Sequence, residues 1–189
     1  DSNSITPGTK LMDYLSKYID WYIRKRINED ENWRSVEVVF SNEKAPGEGE
    51  HKIINYIRYY GNKDDTYCIH GLDADLIMLA LGTHIPNFYI LREDLYDVEN
   101  EYFCIDIGQV RIALAEIMRW SEEKHEFDVT SAVNDFIFLC FMVGNDFLPH
   151  IPSIEIIEGG LELILEIYRE VGSSYGHITR NVSGKVEFR

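Results

Sequence analysis

The sequence predicts an α/β domain with a mainly parallel central sheet flanked by helices. Short β-branched and aromatic runs at Val36–Phe40, Thr66–His70, Phe88–Leu91 and Tyr102–Ile105 are bounded by polar residues, as strands are. Longer stretches whose apolar residues return at helical spacing alternate with them, which indicates strand–helix units. Two acidic motifs directly follow strands, at the carboxyl edge where open sheets bind ligands.

The elements follow in order. Residues 1 to 9 form a polar turn, and Thr9 suits the N-cap of a helix from Lys10 to Ile27, striped by Leu11, Tyr14, Leu15, Tyr18, Ile19, Tyr22 and Ile23. On this pattern Tyr14, Tyr18 and Tyr22 are core residues. Arg24, Lys25 and Arg26 close the helix, where positive charge offsets its dipole. Asn28 to Trp33 is a charged loop before the first strand, Val36–Phe40. Ser41 to Pro46 is then a loop, with Ser41 and Asn42 starting a turn or contacting a substrate. From Glu48 a helix runs with Ile53, Ile54 and Ile57 as its apolar stripe.

Gly61 to Asp65 is a turn, Thr66–His70 the second strand, and Leu76 to Leu81 a buried helix. Two further strands, at Phe88 and Tyr102, are joined by a charged connector from Arg92 to Glu101. A helix starting at Asp106 or Gly108 follows, then a polar loop from Ser121 to Asp128. Val133 to Val143 is apolar nearly all round and hence a buried helix, ended by Gly144 and Asn145, which suit a left-handed terminus. After the loop His150-Ile151-Pro152 comes an amphipathic helix from Leu161 to Val171, and Tyr175 to Arg189 forms a hairpin around Asn181–Lys185.

The candidate site rests on three acidic segments: Pro46-Gly47-Glu48-Gly49-Glu50-His51-Lys52, Leu72-Asp73-Ala74-Asp75-Leu76 and Gly144-Asn145-Asp146-Phe147. Taken singly, each has an ordinary explanation: acids favour first helical turns, and Asp73 is placed to cap the helix behind it. Asp146 is harder to explain, because it meets the negative end of a helix. If Glu48, Glu50, Asp73, Asp75 and Asp146 converge, each pair at about 4 Å repels by roughly 4 kcal/mol at an effective dielectric near 20. A few such pairs would consume much of the roughly 5 to 15 kcal/mol that stabilises a domain. Either the five are spread apart or divalent cations hold them together. Oxygen ligation without a Cys or His cluster favours magnesium or manganese over zinc. Two such ions would clamp a phosphodiester for attack by water, making the five carboxylates metal ligands and catalytic residues at once. Lys52 either touches a phosphate or pairs with the acids, while His51 and His150, next to the acids, read as supporting or capping residues before ligands.

With 33 acidic and 18 basic residues the net charge is −15, which argues against a general nucleic-acid-binding surface on this segment. Bound divalent ions would relieve that field at the point where a phosphate sits. Apolar residues make up 45% of the chain, enough for a substantial core, and no membrane-length apolar run occurs. Cys68, Cys104 and Cys140 have no metal-ligand spacing and read as reduced core residues of an intracellular protein, cytoplasmic or nuclear.

Those strings, together with Ser2-Asn3-Ser4-Ile5-Thr6-Pro7-Gly8-Thr9 and Phe147-Leu148-Pro149-His150, resemble the catalytic region of the XRN-type 5′→3′ exoribonucleases, relatives of the flap-endonuclease and PIN-like nucleases. The resemblance implies magnesium-dependent hydrolysis of RNA from a 5′-monophosphate end, with Glu48, Glu50, Asp73, Asp75 and Asp146 as metal ligands. It also implies that residues 1–189 are part of a larger nuclease domain. The family's preceding segment supplies further aspartates and a basic phosphate pocket, and a later one an aromatic stacking partner. On that reading the chain alone binds divalent ions weakly and has little processive activity. Two other readings compete with it. A phosphatase using Asp73 and Asp75 fits poorly, because Gly71-Leu72 separates the strand from Asp73 and the sequel is apolar. A catalytically silent nuclease-like scaffold or metal-binding module would have no need of five carboxylates.

Overall fold

The computed structural model describes residues 2–94, 101–120, 125–145, 148–152, 154, 159–180 and 185–186. The chain divides into two compact units, Asp1–Tyr56 and Ile57–Arg189.

The first unit is dominated by helix α1 (Lys10–Glu29), which runs two residues beyond its predicted end. Thr9 caps it as expected, its hydroxyl accepting from the Met12 amide at 3.4 Å. Its surface is laced by i,i+4 ion pairs: Lys17 with Asp13, Arg24 with Asp20 and Lys25 with Glu29, while Arg26 reaches Asp30 just past the helix. Tyr14, Tyr18 and Tyr22, predicted as core, are instead 68%, 58% and 40% exposed. Helical spacing identifies a face but not what covers it. Tyr18 stacks on Tyr22 and tilts against Trp21, forming an aromatic row along the helix.

Residues 36–40 are not a strand. Val36, Val39 and Phe40 are 51%, 58% and 37% exposed. Alternating β-branched residues favour extended backbone, yet a strand exists only where another pairs with it. Helix α2 (Gly49–Tyr60) then begins as predicted, with Ile54 and Ile57 buried and Ile53 half exposed.

In the second unit, β1 (Tyr67–His70) pairs in parallel with β2 (Phe88–Glu93), joined through helix α3 (Asp75–Leu81). β2 pairs antiparallel with β3 (Tyr102–Asp106), giving the order β1-β2-β3. The described sheet is therefore small and mixed, not mainly parallel. A parallel pairing needs a crossover of about a dozen or more residues, and only residues 94–101 separate the two strands, so β3 runs reversed beside β2. The connector between them lies at 95–100, outside the described residues. Phe88 and Ile90 on the central strand are fully buried, whereas Cys68 and Cys104 on the two outer strands are exposed, and only Cys140 is a core cysteine.

Asp106 caps helix α4 (Ile107–Met118) by accepting from the Gln109 amide at 3.1 Å. Helix α5 (Val129–Met142) starts four residues earlier than predicted, capped by Asp128, and Gly144 beyond it has φ +92° as the left-handed terminus requires. Helix α6 (Gly160–Tyr175) leads into a ribbon of β4 (Thr179–Arg180) and β5 (Lys185–Val186); the predicted turn at 181–184 lies outside the described residues, as does 121–124 of the polar loop. α4, α5 and α6 close around Trp120, Met118, Leu139, Val143, Ile164 and Tyr168. Trp120 meets Phe127 edge-on at 5.0 Å and His177 at 4.8 Å. Gly172 lets α6 approach this ring, since a Cβ there would lie 2.5 Å from Trp120. No described helix is long and apolar enough to cross a membrane.

The tail is fastened by Asp135, whose side chain on α5 is wholly buried. Its carboxylate accepts from the Tyr168 hydroxyl at 2.7 Å, His177 Nδ1 at 3.1 Å, the amides of Ile178 (3.0 Å) and Thr179 (2.6 Å), and the Thr179 hydroxyl at 2.6 Å. His177 Nε2 accepts from the Asp128 amide at 2.8 Å, which leaves Nδ1 as the ring nitrogen that donates to Asp135. One buried carboxylate is thus satisfied by donors from α6 and the segment behind it.

Removing this hub by Asp135→Ala strands those donors. It is expected to cost about 3 to 5 kcal/mol in urea unfolding, the range for breaking a buried charge network, and a loss below about 1 kcal/mol would contradict the assignment. Burial, and then the negative Asp135 beside it, push the Tyr168 hydroxyl well above its ordinary value. A raised folded-state pKa contributes stability below the unfolded value and loses it as pH rises. The stability of wild type relative to Tyr168→Phe should therefore be constant through neutral pH and decline above about pH 10. A difference that grows there would refute it.

Candidate metal centre

Two acidic turns carry the candidate ligands among the described residues, one in each unit. In the first, the loop from Ser41 to Pro46 is tied down before it reaches Glu48. Asn42 closes an Asx turn by accepting from the Lys44 amide at 3.1 Å, Lys44 Nζ pairs with Asp13 at 3.0 Å, and the Ser16 hydroxyl bonds Glu43. Lys52 neither pairs with the acids nor points free: its ammonium donates to the carbonyls of Asn42 (3.2 Å) and Ala45 (3.1 Å), stapling the loop to the first turn of α2. Gly47, at φ +97°, turns the chain into the helix where a side chain would be strained.

Glu48 immediately precedes α2, and its carbonyl accepts from the Lys52 amide at 3.0 Å; Glu50 lies in the first turn. The helix start favours negative charge there. One ligand atom each from Glu48, Glu50 and His51 lies within 4.8 Å of the others, with His51 Nε2 3.5 Å from the Glu48 carboxylate. Sequence reasoning gave His51 a supporting role only. Glu48 and His51 are three apart at a helix start, which puts both side chains on one face, and that spacing was the available signal.

In the second unit the turn after β1 carries Asp73 and Asp75. It is held by the Gly71 amide donating to the Leu91 carbonyl at 3.2 Å and by the Arg92 guanidinium bonding the Leu72 carbonyl. The N-cap of α3 is Ala74, with no side-chain cap, so Asp73 does not cap the helix as the ordinary explanation required. Asp75 lies in the first turn. Both are exposed, and among the described residues neither carboxylate is in a salt bridge. Asp146 lies outside the described residues; His150, just beyond it, is exposed. Two carboxylates and an imidazole at one helix start fit a divalent cation that prefers oxygen donors, and two further exposed carboxylates, Asp73 and Asp75, follow β1 in the other unit.

Comparison with known proteins bears on these turns. Residues 1–94 match the model of the XRN 5′-3′ exonuclease N-terminus, and residues 126–189 match that of the Xrn1 helical domain. The chain is 38% identical over 183 residues to the 5′-3′ exoribonuclease 2 of Yarrowia lipolytica, covering 89% of this chain and 18% of that protein. It is 38% identical over 215 residues to the 5′-3′ exoribonuclease 2 of Gallus gallus (90% and 23%) and 39% identical over 194 residues to the 5′-3′ exoribonuclease 1 of Schizosaccharomyces pombe (93% and 15%). The chain thus spans about a fifth of the length of such relatives. Both acidic turns fall inside the exonuclease match, and the two models follow one another along most of the sequence. The chain belongs to the XRN family of 5′-3′ exonucleases.

Proposed function

We propose that this segment works within the PIN-like catalytic domain of a 5′-3′ exoribonuclease that hydrolyses phosphodiester bonds of RNA from a 5′-monophosphate end. The observation that carries the reading is the Glu48–Glu50–His51 cluster, three donor atoms within 4.8 Å in a segment matched by the exonuclease model. Asp73, Asp75 and Asp146 complete the proposed donor set. Magnesium or manganese ions bound there would supply Lewis-acid polarisation of the phosphate and an activated water.

The chain's own residues hold that set in place. The start of α2 steadies the charge of Glu48 and Glu50, and His51 orients the Glu48 carboxylate. Lys52, Asn42 and Ser41 lie on the stapled loop and are the proposed substrate contacts. For Lys52 to meet a phosphate, it must release the two carbonyls it now holds. An enzyme of this kind acts inside the cell, in the nucleus or the cytoplasm.

The test exchanges this segment into a full-length relative and follows magnesium-dependent degradation of 5′-monophosphate and 5′-hydroxyl RNA. Asp73→Ala is expected to abolish end-specific degradation by at least roughly a hundredfold, since even a residue behind a metal ligand costs about ten- to a hundredfold. Unchanged activity would make Asp73 structural and overturn the reading. Metal-dependent stabilisation without turnover in the unmutated exchange would favour a silent metal-binding scaffold.

A further inference from the structure

A cavity of about 530 Å³ lies at the end of α3 opposite Asp75, walled by Ile57, Ile85 and Ile137 and rimmed by Arg58, Lys63 and His84. Along α3, seven residues at 1.5 Å each put about 10 Å between this cavity and the acidic turn. It is a separate site, contained in the second unit.

The cavity is positively charged on a chain of net charge −15. Behind His84 lies Arg111, half-buried, whose Nη1 is 3.0 Å from His84 Nδ1 and whose Nη2 donates to the Thr130 hydroxyl at 3.0 Å. A guanidinium only donates, so His84 Nδ1 accepts and Nε2 carries the proton, donating to Asn134 Oδ1 at 3.0 Å. Burial first, then Arg111, lower the His84 pKa against the Asn134 hydrogen bond that raises it, with smaller lowering by Lys63 and Arg58. Among the described residues no carboxylate lies within 4 Å of Arg58, Lys63 or Arg111, whereas Lys17, Arg24, Lys25, Arg26, Arg34 and Lys44 all have one. Asp128 acts on Arg111 from further off, with its own oxygen accepting from the Ser131 amide at 2.7 Å.

These cations are not spent on the end of α3. The carbonyls of Met78, Ala80 and Leu81 already accept from the amides of Gly82, Thr83 and His84, and the Thr83 hydroxyl also donates to Ala80 at 2.7 Å. His84 takes a positive φ of 56° in this turn, which Ile85 completes by donating its amide to the Thr83 hydroxyl at 3.2 Å. The turn is closed by its own groups, and Arg58 and Lys63 line the cavity.

We propose that this cavity binds a small phosphorylated ligand of nucleotide size, its phosphomonoester held by Arg58 and Lys63 and its ring system laid against the isoleucine walls. The volume is within the range of small-molecule sites, about 300 to 1,000 Å³, and an Arg with a Lys is a common phosphate pair. The proposal does not depend on the nuclease reading.

The test is calorimetric titration of the 189-residue chain with adenosine 5′-monophosphate, adenosine and inorganic phosphate, in EDTA so that no metal-bound carboxylates can hold the nucleotide. Saturable binding of the nucleotide is expected, weakened at least fivefold by Arg58→Gln or Lys63→Gln with the thermal midpoint unchanged, because both side chains are exposed. Adenosine should not bind, and inorganic phosphate should bind more weakly than the nucleotide. No saturable nucleotide binding, or equal affinity in both variants, would overturn the site. Adenosine matching the nucleotide would overturn the role of the phosphate, and phosphate matching it would overturn the role of the apolar walls.

Discussion

The second unit depends on the burial of one carboxylate, Asp135. A charge with no exposure survives only if surrounding donors replace water, and five do so, all contributed by α6 and the segment after it. Those donors can reach Asp135 only when α6 lies beside α5 and the tail folds back over it. The arrangement that satisfies the charge therefore closes the Trp120 core, and that core includes α4, which packs against β2 and β3. The sheet whose first strand leads into the turn of Asp73 and Asp75 is supported from this side.

The same residue type has the opposite treatment at the acidic turns. Asp135 is saturated with donors, whereas Glu50, Asp73 and Asp75 meet no cation of the protein among the described residues. Lys52 illustrates the difference: it is one residue from Glu50, yet its ammonium is committed to two backbone carbonyls. The backbone on both sides is fixed, by Lys52 and Lys44 in one unit and by Arg92 in the other, while the carboxylates are left bare. Rigid backbone with unneutralised acids is the condition for a preorganised divalent-ion site.

Much of this was legible in the sequence where local rules decide. Thr9, Asp106 and Gly144 mark helix ends through caps and left-handed backbone, and the buried helix α5 follows from apolar residues on every face. What failed needed tertiary information. Val36–Phe40 has a strand's composition but no pairing partner, Tyr14 to Tyr22 form a stripe that remains exposed, and Cys68 and Cys104 occupy outer strands. The reversal of β3 was hidden because a strand's residues do not encode its direction. At the site, the acids were readable from their spacing, and the i,i+3 spacing of Glu48 and His51 was the signal for a pair whose nearness the side-chain geometry shows.

The central proposal is that the carboxylates of the acidic turns are metal ligands. It is tested most directly by manganese affinity, measured by electron paramagnetic resonance in a full-length relative carrying this segment, for wild type, Glu50→Gln and Asp73→Asn. Each variant is expected to bind manganese at least roughly tenfold more weakly, since even a residue behind a metal ligand costs about ten- to a hundredfold. A variant of either turn that binds manganese as wild type does would contradict the account.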